Sequence, residues 1–260
     1  MAHPFPSIAE LIAARLPDRG ARRPFVLGIA GAQGSGKSTV AHDLAARFVC
    51  PVLSLDDLYL DGAARMVLAA EVHPLLRTRG VPGTHDPALG LAVIDSLGQA
   101  GPTHLPRFDK ARDEPGKPEA WQGPAEMVIL EGWCLGARAQ AETELAIPIN
   151  ALERERDPDA VWRRWVNTQL EGYRALFDRI DMLVFLAAPG FAVVEHWRGE
   201  QEHALRKAMG MEAGMSDAAL TIFIQHYQRL TEHMLGDADW ADLTITLDDQ
   251  RRAIGVSPAP

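Results

Sequence analysis

The string Gly31-Ala-Gln-Gly-Ser-Gly-Lys-Ser38 constrains the fold of this chain more than any other feature. It follows the apolar run Phe25 to Ala30 and leads into a segment, Lys37 to Val49, that is typical of a helix. Glycines at these spacings let backbone N–H groups surround phosphate groups, and the N-terminus of the following helix adds positive potential. The string therefore predicts a strand, a phosphate-binding loop and a helix in an α/β fold.

Individual residues of this loop have predictable roles. Lys37 is expected to reach the β and γ phosphates as a point charge, and Ser38 to offer its hydroxyl to Mg²⁺. ATP and Mg²⁺ are therefore the expected cofactors, and a glycine-rich turn without a nucleotide is the alternative. The predicted nucleotide contacts within the loop are Gly31, Ala32, Gln33, Gly34, Ser35, Gly36, Lys37, Ser38 and Thr39.

Further apolar runs of strand length recur along the chain. Because they are apolar on both faces, they suit the buried strands of a parallel sheet, with the intervening segments as crossovers. We expect a three-layer P-loop NTPase fold, with a parallel sheet of about five strands and helices on both faces. Besides the first run, the predicted strands are Val52 to Leu55, Met127 to Leu130, Met182 to Ala187 and Leu243 to Leu247.

Helical patterns and one loop-like segment lie between these runs. Gly101 to Pro124 is rich in proline, glycine and charge, so we expect a long ordered loop there rather than a helix or strand. We expect an N-terminal helical extension over residues 1–24 and one P-loop domain over residues 25–260. The predicted helices are Ser7 to Leu16, closed by Pro17 and Gly20, then Asp159 to Ile180 with aromatic core contacts, Phe191 to Met209, and Ser216 to Leu235 with Ser216 as N-cap.

Composition limits the possible partners and location. The 260 residues include 26 basic and 35 acidic side chains, a net charge of −9, which argues against a general nucleic-acid binder but not against an anionic small substrate. Cys50 and Cys134 lack the spacing of a disulfide framework or metal site, so we expect reduced thiols in a cytoplasmic protein. The N-terminus lacks the pattern of a secretory leader, and no apolar run approaches the roughly 20 residues that span a bilayer, so no membrane partner is expected.

Acidic residues follow two of the predicted strands. Asp56 and Asp57 come just after the second strand, where a carboxylate could accept the proton of an attacking hydroxyl; the alternative is that one of them caps the next helix. Glu131 ends the strand Met127 to Leu130 in the form of a Walker B acid and is expected near the metal, directly or through water, with a structural role as the alternative. The chain has no Asn-Lys-x-Asp sequence for reading guanine, which disfavours a GTPase switch.

Several short segments of the sequence resemble those of a known group of enzymes. Together with the phosphate loop they are similar to the plant- and fungal-type D-glycerate 3-kinases and their bacterial kinase-like relatives, within the phosphoribulokinase, uridine kinase and pantothenate kinase superfamily. The likeness extends from about Phe25 over most of the chain. The strings are Ser54-Leu-Asp-Asp-Leu-Tyr59, Arg79-Gly-Val-Pro-Gly-Thr-His-Asp86, Pro106-Arg-Phe-Asp-Lys110, Ile129-Leu-Glu-Gly-Trp133, Trp197-Arg-Gly-Glu-Gln-Glu202 and Met215-Ser-Asp217, with Asn150 and Arg206 between them.

The resemblance implies a catalytic base and a lid. Alignment on the pattern Asp-x-[aromatic or Leu]-Tyr makes Asp56, rather than Asp57, the base. The helix near residues 190–210 is then a helical lid, whose Arg198 and Arg206 close over the phosphates. From the residues alone, Arg198, Glu202 and Arg206 stand four positions apart and equally suit an exposed, salt-bridged helix.

The same strings supply candidates for binding the acceptor. Arginine and lysine are the appropriate groups for recognising a carboxylate, although those of the 106–110 string could also be solvated charges. Asp86 could instead cap a helix with Pro87 at its first position. The family usually has phenylalanine and tyrosine where this chain has Leu58 and Phe108, which leaves open any substrate contact from position 108. The candidates are Asp57, Tyr59, Arg79, His85, Asp86, Arg107, Asp109, Lys110 and Gln201.

Together these features predict an ATP-dependent small-molecule kinase. The resemblance implies transfer of the γ-phosphate to the 3-hydroxyl of D-glycerate. Asp56, Lys37 and Glu131 are the predicted catalytic residues, and Ser38, Glu131 and Asp56 the predicted metal ligands. A kinase for a nucleoside or a pantothenate-like acceptor is one alternative, and a nucleotide-binding regulatory or chaperone-like NTPase without a small-molecule acceptor is another.

Overall fold

A computed structural model describes residues 6–17, 24–209, 215–236 and 239–258. Gly20 and Gly210, at the ends of the predicted first helix and lid, lie outside the described residues. The strands within this part of the chain are β1 (Phe25–Gly31), β2 (Val52–Ser54), β3 (Pro102–Leu105), β4 (Phe108–Asp109), β5 (Glu114–Pro115), β6 (Glu119–Gln122), β7 (Met127–Gly132), β8 (Met182–Ala187), β9 (Leu243–Leu247) and β10 (Ala253–Pro258).

The α-helices alternate with the strands of the main sheet. Their bounds within the described ranges are α1 (Ile8–Ala13), α2 (Lys37–Phe48), α3 (Gly62–Glu71), α4 (Pro87–Leu97), α5 (Glu142–Leu145), α6 (Ala151–Arg156), α7 (Val161–Gln169), α8 (Arg174–Phe177), α9 (Phe191–Met209) and α10 (Asp217–Gly236). Ser216 caps α10, since its hydroxyl accepts a hydrogen bond from the Ala219 N–H at 3.3 Å. No helix in these ranges combines the length and apolar character that crossing a bilayer requires.

The main sheet has the order β10-β9-β8-β1-β7-β2. The five predicted strands are all present and run parallel, which confirms the predicted class. The sixth strand, β10, pairs antiparallel with β9 and was not predicted. Most of its residues are exposed or half-buried, so it has no buried apolar run that would identify it in the sequence.

Both faces of the sheet are covered, which explains why every residue of β1 and β7 is buried. Neighbouring residues of β1 point to opposite faces: Val26 packs in a core cluster with α4, α8 and α10, and Leu27 in one with α1, α2 and α9. Ile12 of α1 is fully buried in the second cluster. The N-terminal helix therefore packs on the same core as the sheet.

Two sequence predictions about secondary structure are wrong. The stretch Asp159 to Ile180 is not one helix but α7, a 3₁₀ turn over Leu170–Tyr173, and α8. Gly172 lies in that turn, and glycine is a poor helix former. The expected core contacts of the aromatic residues are nevertheless confirmed: Trp162 and Tyr173 are buried, and Trp165 and Phe177 are partly buried against the core clusters.

The segment Gly101 to Pro124 is also not a loop without strands. It forms two antiparallel ribbons, β3 with β6 and β4 with β5. In β3 only Thr103 and Leu105 are buried, in alternation with exposed neighbours. Such a short alternation among prolines and charges gives a weak strand signal, and the pairing that stabilises it joins residues well apart in the chain.

Candidate active site

A cavity of about 160 Å³ opens at the carboxyl ends of β1, β2 and β7. Parallel strands bring their carboxyl ends to one edge of the sheet, so the phosphate loop after β1, the acids after β2 and Glu131 in β7 meet there. The side chains and backbone that line the cavity come from residues Gln33, Gly34, Lys37, Ser38, Asp56, Tyr59, Arg79, Lys110, Trp133, Arg198, Gln201, Phe223 and Tyr227.

The phosphate loop depends on two glycines in the left-handed region. Gly36, the N-cap of α2, has φ +89°, and no heavy atom outside its immediate neighbours lies within 4 Å of the position of a Cβ. Open space therefore adjoins the start of α2, where the first N–H groups of a helix lack partners within the helix and can bind an anion. Gly34 has φ +77° and is tightly packed, because a Cβ there would lie 2.6 Å from the Cβ of Trp197 in α9.

Asp56 has a hydrogen-bond donor on each carboxylate oxygen. Lys110 Nζ donates to Oδ2 at 2.6 Å, and the Tyr59 hydroxyl donates to Oδ1 at 2.6 Å. Desolvation in the cavity acts to raise the pKa of Asp56, but the charges of Lys110 and Lys37 and the two hydrogen bonds outweigh it. Its pKa therefore lies well below the usual range, and the carboxylate is ionised at neutral pH.

His85 supports Tyr59 from behind and does not line the cavity. The two rings are stacked with centroids 4.6 Å apart, and His85 Nδ1 shares a hydrogen bond of 2.7 Å with the Tyr173 hydroxyl. Burial lowers the pKa of His85 to about 4, so its ring is neutral at physiological pH. His85, predicted to contact the acceptor, instead contacts the side chain that holds Asp56.

The Arg79-to-Asp86 string lets helix α10 approach the site. Gly80 has φ +126°, and a Cβ there would lie 2.0 Å from the hydroxyl of Tyr227. That hydroxyl donates to the Arg79 carbonyl at 3.0 Å. Tyr227 and Phe223, one turn earlier in α10, thereby form an aromatic part of the cavity wall.

Glu131 and Ser38 supply oxygen atoms of the kind that Mg²⁺ prefers. Glu131 is only 5% exposed, and its Oε1 accepts from the hydroxyls of Ser38 at 3.1 Å and Ser54 at 2.7 Å. Its Oε2 is buried without a partner. Mg²⁺ prefers oxygen ligands and usually keeps several waters and phosphate oxygens, so two protein ligands are enough. Asp56, the third predicted ligand, already accepts a hydrogen bond on each oxygen.

The two predicted lid arginines lie in different surroundings. Arg198 of α9 lines the cavity and donates to Gln201 Oε1 at 2.6 Å. Arg206 donates to the Met215 carbonyl at 2.7 Å and to the carboxylate of Asp217 at 2.8 Å, and it is not among the residues that line the cavity. In this conformation only Arg198 faces the site.

Several acceptor candidates stabilise the ribbons instead of lining the cavity. Asp57 accepts from the Phe108 N–H at 2.9 Å and from the Arg107 guanidinium at 3.2 Å, and burial raises the pKa of Asp57. Arg107 also pairs with Glu119. Asp109 accepts N–H bonds from the turn that follows it. These contacts fix the ribbon that carries Lys110.

Asp86 has the alternative role. Its side chain accepts from the Leu89 N–H at 2.9 Å as the N-cap of α4, with Pro87 at the first helical position.

Sequence reasoning missed three aromatic residues of the cavity wall. Trp133 directly follows Glu131 and Gly132 at the end of a strand, and that position could have marked it as a site residue. Phe223 and Tyr227 lie about 90 residues further along the chain, in a helix with no motif of its own. Only the packing of α10 brings them to the site.

Comparisons with known proteins place the chain among kinases. No protein-family model matches it. It is 34% identical over 222 residues to a kinase of Schizosaccharomyces pombe, mug58, described as uncharacterised; the match covers 79% of each chain. The solved structure of a D-glycerate 3-kinase from Cryptococcus neoformans var. grubii is similar, with 25% identity, a TM-score of 0.74, and 96% of this chain and 94% of that one covered. The structure of the YGR205w protein shares the fold at 24% identity, a TM-score of 0.74 and 96% coverage of both chains.

Proposed function

This chain belongs to the D-glycerate 3-kinase-like family of P-loop kinases, and we propose that it transfers the γ-phosphate of ATP to the 3-hydroxyl of D-glycerate. The observation that carries the proposal is the position of Asp56. It faces the phosphate loop across a small cavity, where an acceptor hydroxyl could lie between its carboxylate and a terminal phosphate.

The size and charge of the cavity favour a small acid as acceptor. About 160 Å³ must hold both the transferred phosphoryl group and the acceptor, which suits a molecule of a few carbons better than a nucleoside. Among the described residues, the wall carries Lys37, Arg79, Lys110 and Arg198 but, of the acids, only Asp56. Arginine and lysine are the groups that recognise phosphate and carboxylate oxygens.

A neighbouring groove of about 650 Å³ has room for the rest of the nucleotide. It adjoins the phosphate loop, because Ser35, Gly36 and Thr39 are among the residues that line it. Ile8 of α1 and the turn between β9 and β10, including Arg251, also line it. A base and ribose in this groove would place their phosphates over the start of α2.

The chain's own residues supply positioning and charge for the transfer. The acceptor oxygen forms a bond to the γ-phosphorus while the bond from that phosphorus to the bridging oxygen breaks, and the hydroxyl proton passes to Asp56. Lys37 and Arg198 neutralise the phosphate charge, which is the main requirement of a loose transition state. Ser38 and Glu131 would hold Mg²⁺, which supplies further charge neutralisation when it is bound.

The direct test uses the purified protein with ATP·Mg²⁺ and four acceptors: D-glycerate, uridine, pantothenate and ribulose 5-phosphate. We expect ADP release and 3-phosphoglycerate with D-glycerate. Background ADP release with D-glycerate would overturn the proposed acceptor, and transfer to uridine or pantothenate would establish the alternative kinase. Acceptor-independent hydrolysis that survives Asp56→Asn would instead indicate a regulatory NTPase.

A further inference from the structure

Lys110 forms an ion pair with Asp56, the carboxylate that the reaction needs as a base. Its Nζ donates to Asp56 Oδ2 at 2.6 Å, while the Tyr59 hydroxyl occupies Oδ1. An acceptor hydroxyl must donate its hydrogen bond to one of these two oxygens before it can transfer a proton. Each carboxylate oxygen can accept a second hydrogen bond, but an ammonium group at 2.6 Å stabilises the ionised carboxylate and makes it a weaker base.

Of the two donors, Lys110 is the one that can leave. The Tyr59 ring is held between His85 and Phe108, with centroid distances of 4.6 and 5.1 Å. Lys110 follows the two-residue strand β4, and its side chain is 59% exposed on a flexible four-carbon stem. Displacing Lys110 therefore requires rotation of one exposed side chain and no change in packing.

The two arginines that line the cavity pair with acids other than Asp56. Arg79 pairs with Asp113, and Arg198 pairs with Glu202. Lys110 differs from them because its partner is the catalytic carboxylate itself. An anion that enters the cavity and attracts Lys110 therefore breaks the ion pair between Lys110 and Asp56.

We propose that the carboxylate of the acceptor draws Lys110 away from Asp56, which then takes the proton of the acceptor hydroxyl more readily. This inference rests on the proposed function and adds a selection step to it. A hydroxy acid brings both the anion that displaces Lys110 and the hydroxyl that reacts. A neutral alcohol brings only the hydroxyl and meets a carboxylate that is still paired with Lys110.

Water is the most abundant neutral competitor. Its attack would form an oxygen–phosphorus bond, break the bond to the bridging oxygen, and pass a proton to Asp56, giving ADP and inorganic phosphate. With Lys110 on Oδ2, Asp56 takes that proton less readily. Lys110 therefore suppresses ATP hydrolysis until an acid occupies the cavity.

The experiment separates the anion from the reacting hydroxyl. D-lactate carries the carboxylate of D-glycerate but lacks the 3-hydroxyl, so it can displace Lys110 without becoming phosphorylated there. We expect D-lactate to stimulate ATP hydrolysis by the wild-type protein by about fivefold or more, the lower range of typical coupling between two ligands. We expect Lys110→Met to hydrolyse ATP faster than wild type without D-lactate, and to show no further stimulation by it.

A matched control and a binding measurement complete the test. Lys117→Met changes an exposed lysine of the same segment that does not line the cavity, and it should behave as wild type. The ADP dissociation constant of Lys110→Met should stay within about twofold of wild type; a tenfold rise, about 1.4 kcal/mol, would make Lys110 a phosphate ligand and overturn the proposal.

The outcomes distinguish this proposal from the function beneath it. Phosphorylation of D-glycerate by wild type, together with hydrolysis that neither D-lactate nor Lys110→Met changes, overturns the displacement of Lys110 alone. Absence of transfer to any hydroxy acid overturns both. If Lys110→Met fails to fold, shown by its thermal unfolding, the wild-type response to D-lactate decides.

Discussion

Asp56 and Asp57 are neighbours in the chain, yet their side chains lie in opposite surroundings. Asp56 lines the cavity between Lys110 and Tyr59, whereas Asp57 points to the backbone of Phe108 and to Arg107. Burial raises the pKa of Asp57, while the nearby lysines keep that of Asp56 low. The residues alone left the choice open, and the geometry supports the choice implied by the family resemblance.

Exchanging each of these carboxylates for an amide separates their roles. We expect Asp56→Asn to lower kcat by about 10²- to 10⁴-fold, the usual contribution of a general base, and to leave the ADP dissociation constant near wild type. Lys37→Ala should weaken ADP binding and catalysis together. Steady-state kinetics with D-glycerate and a direct ADP titration measure both quantities.

Asp57→Asn is the matched control. Asparagine keeps an oxygen that can accept from the Phe108 N–H, so kcat should fall far less than in Asp56→Asn. Equal losses in the two variants would contradict the assignment of Asp56 as the base.

At the scale of elements, the site depends on how closely α10 approaches the turn at Gly80. The Tyr227 hydroxyl fills the space that a Cβ at Gly80 would need, and Trp133 Nε1 donates to the Gly80 carbonyl at 2.8 Å. The same contact brings Phe223 and Tyr227 to the cavity. A glycine in the middle of a motif thus fixes the distance between two elements that are far apart in sequence.

Gly80→Ala should be costly for stability and activity. The added methyl group meets Tyr227 at a backbone angle that alanine rarely adopts, so we expect a loss of about 3 kcal/mol or more. In a chain of this size, that lowers Tm by about 6–12 °C. Differential scanning calorimetry, with kcat measured below the transition, checks both effects.

Gly101→Ala provides the comparison. Gly101 also has a positive φ, +111°, but no heavy atom lies within 4 Å of its added Cβ. Only backbone strain should remain there, about 1 kcal/mol. A similar loss in both variants would show that the contact with Tyr227 does not matter.

At the scale of the whole molecule, the net charge of −9 conceals a basic site. Four cationic side chains face the cavity, two of which, Lys37 and Lys110, belong to a set of only four lysines in the sequence. Such a site attracts anionic ligands although the surface as a whole repels them. Net charge therefore predicts solution behaviour but not the chemistry of a cleft.

Two buried histidines should make the whole fold sensitive to acid. Burial lowers the pKa of His85 and of His226 to about 4, against about 6.5 in the unfolded chain. Between these values the unfolded state binds more protons, so this stability is present above about pH 6.5 and is lost as the pH falls towards 4. From pH 7 to pH 5 we expect a loss of about 2 kcal/mol per histidine in the free energy of unfolding, measured by urea denaturation.

His226→Gln tests the origin of this loss. His226 packs against Trp162 and Phe223 but does not line the active-site cavity, so its replacement should affect the pH dependence more than the chemistry. The variant should lose about half of the pH dependence between pH 7 and pH 5. An unchanged slope would exclude His226 as a source.

Local sequence determined a large part of this molecule. The five parallel strands could be predicted because each is a buried apolar run. The phosphate loop could be predicted from its glycines, and the acids from their position at the ends of β2 and β7. Each of these features depends on residues that adjoin in the chain. The edge at which these parts meet follows from the parallel order of the strands. For the same reason, the sequence alone was enough to propose roles for Lys37, Ser38 and Glu131.

Tertiary structure alone decided the rest. Several contacts join residues that have no shared local pattern. They are the pairing of Lys110 with Asp56, the stacking of His85 on Tyr59, the placement of Phe223 and Tyr227 at the cavity, and the hydrogen bonds of Arg206 to Met215 and Asp217. The ribbons of segment 101–124 and the edge strand β10 likewise depend on hydrogen bonds between separate stretches of chain. Such contacts form only when the packed core brings distant segments together, so no short window of sequence records them.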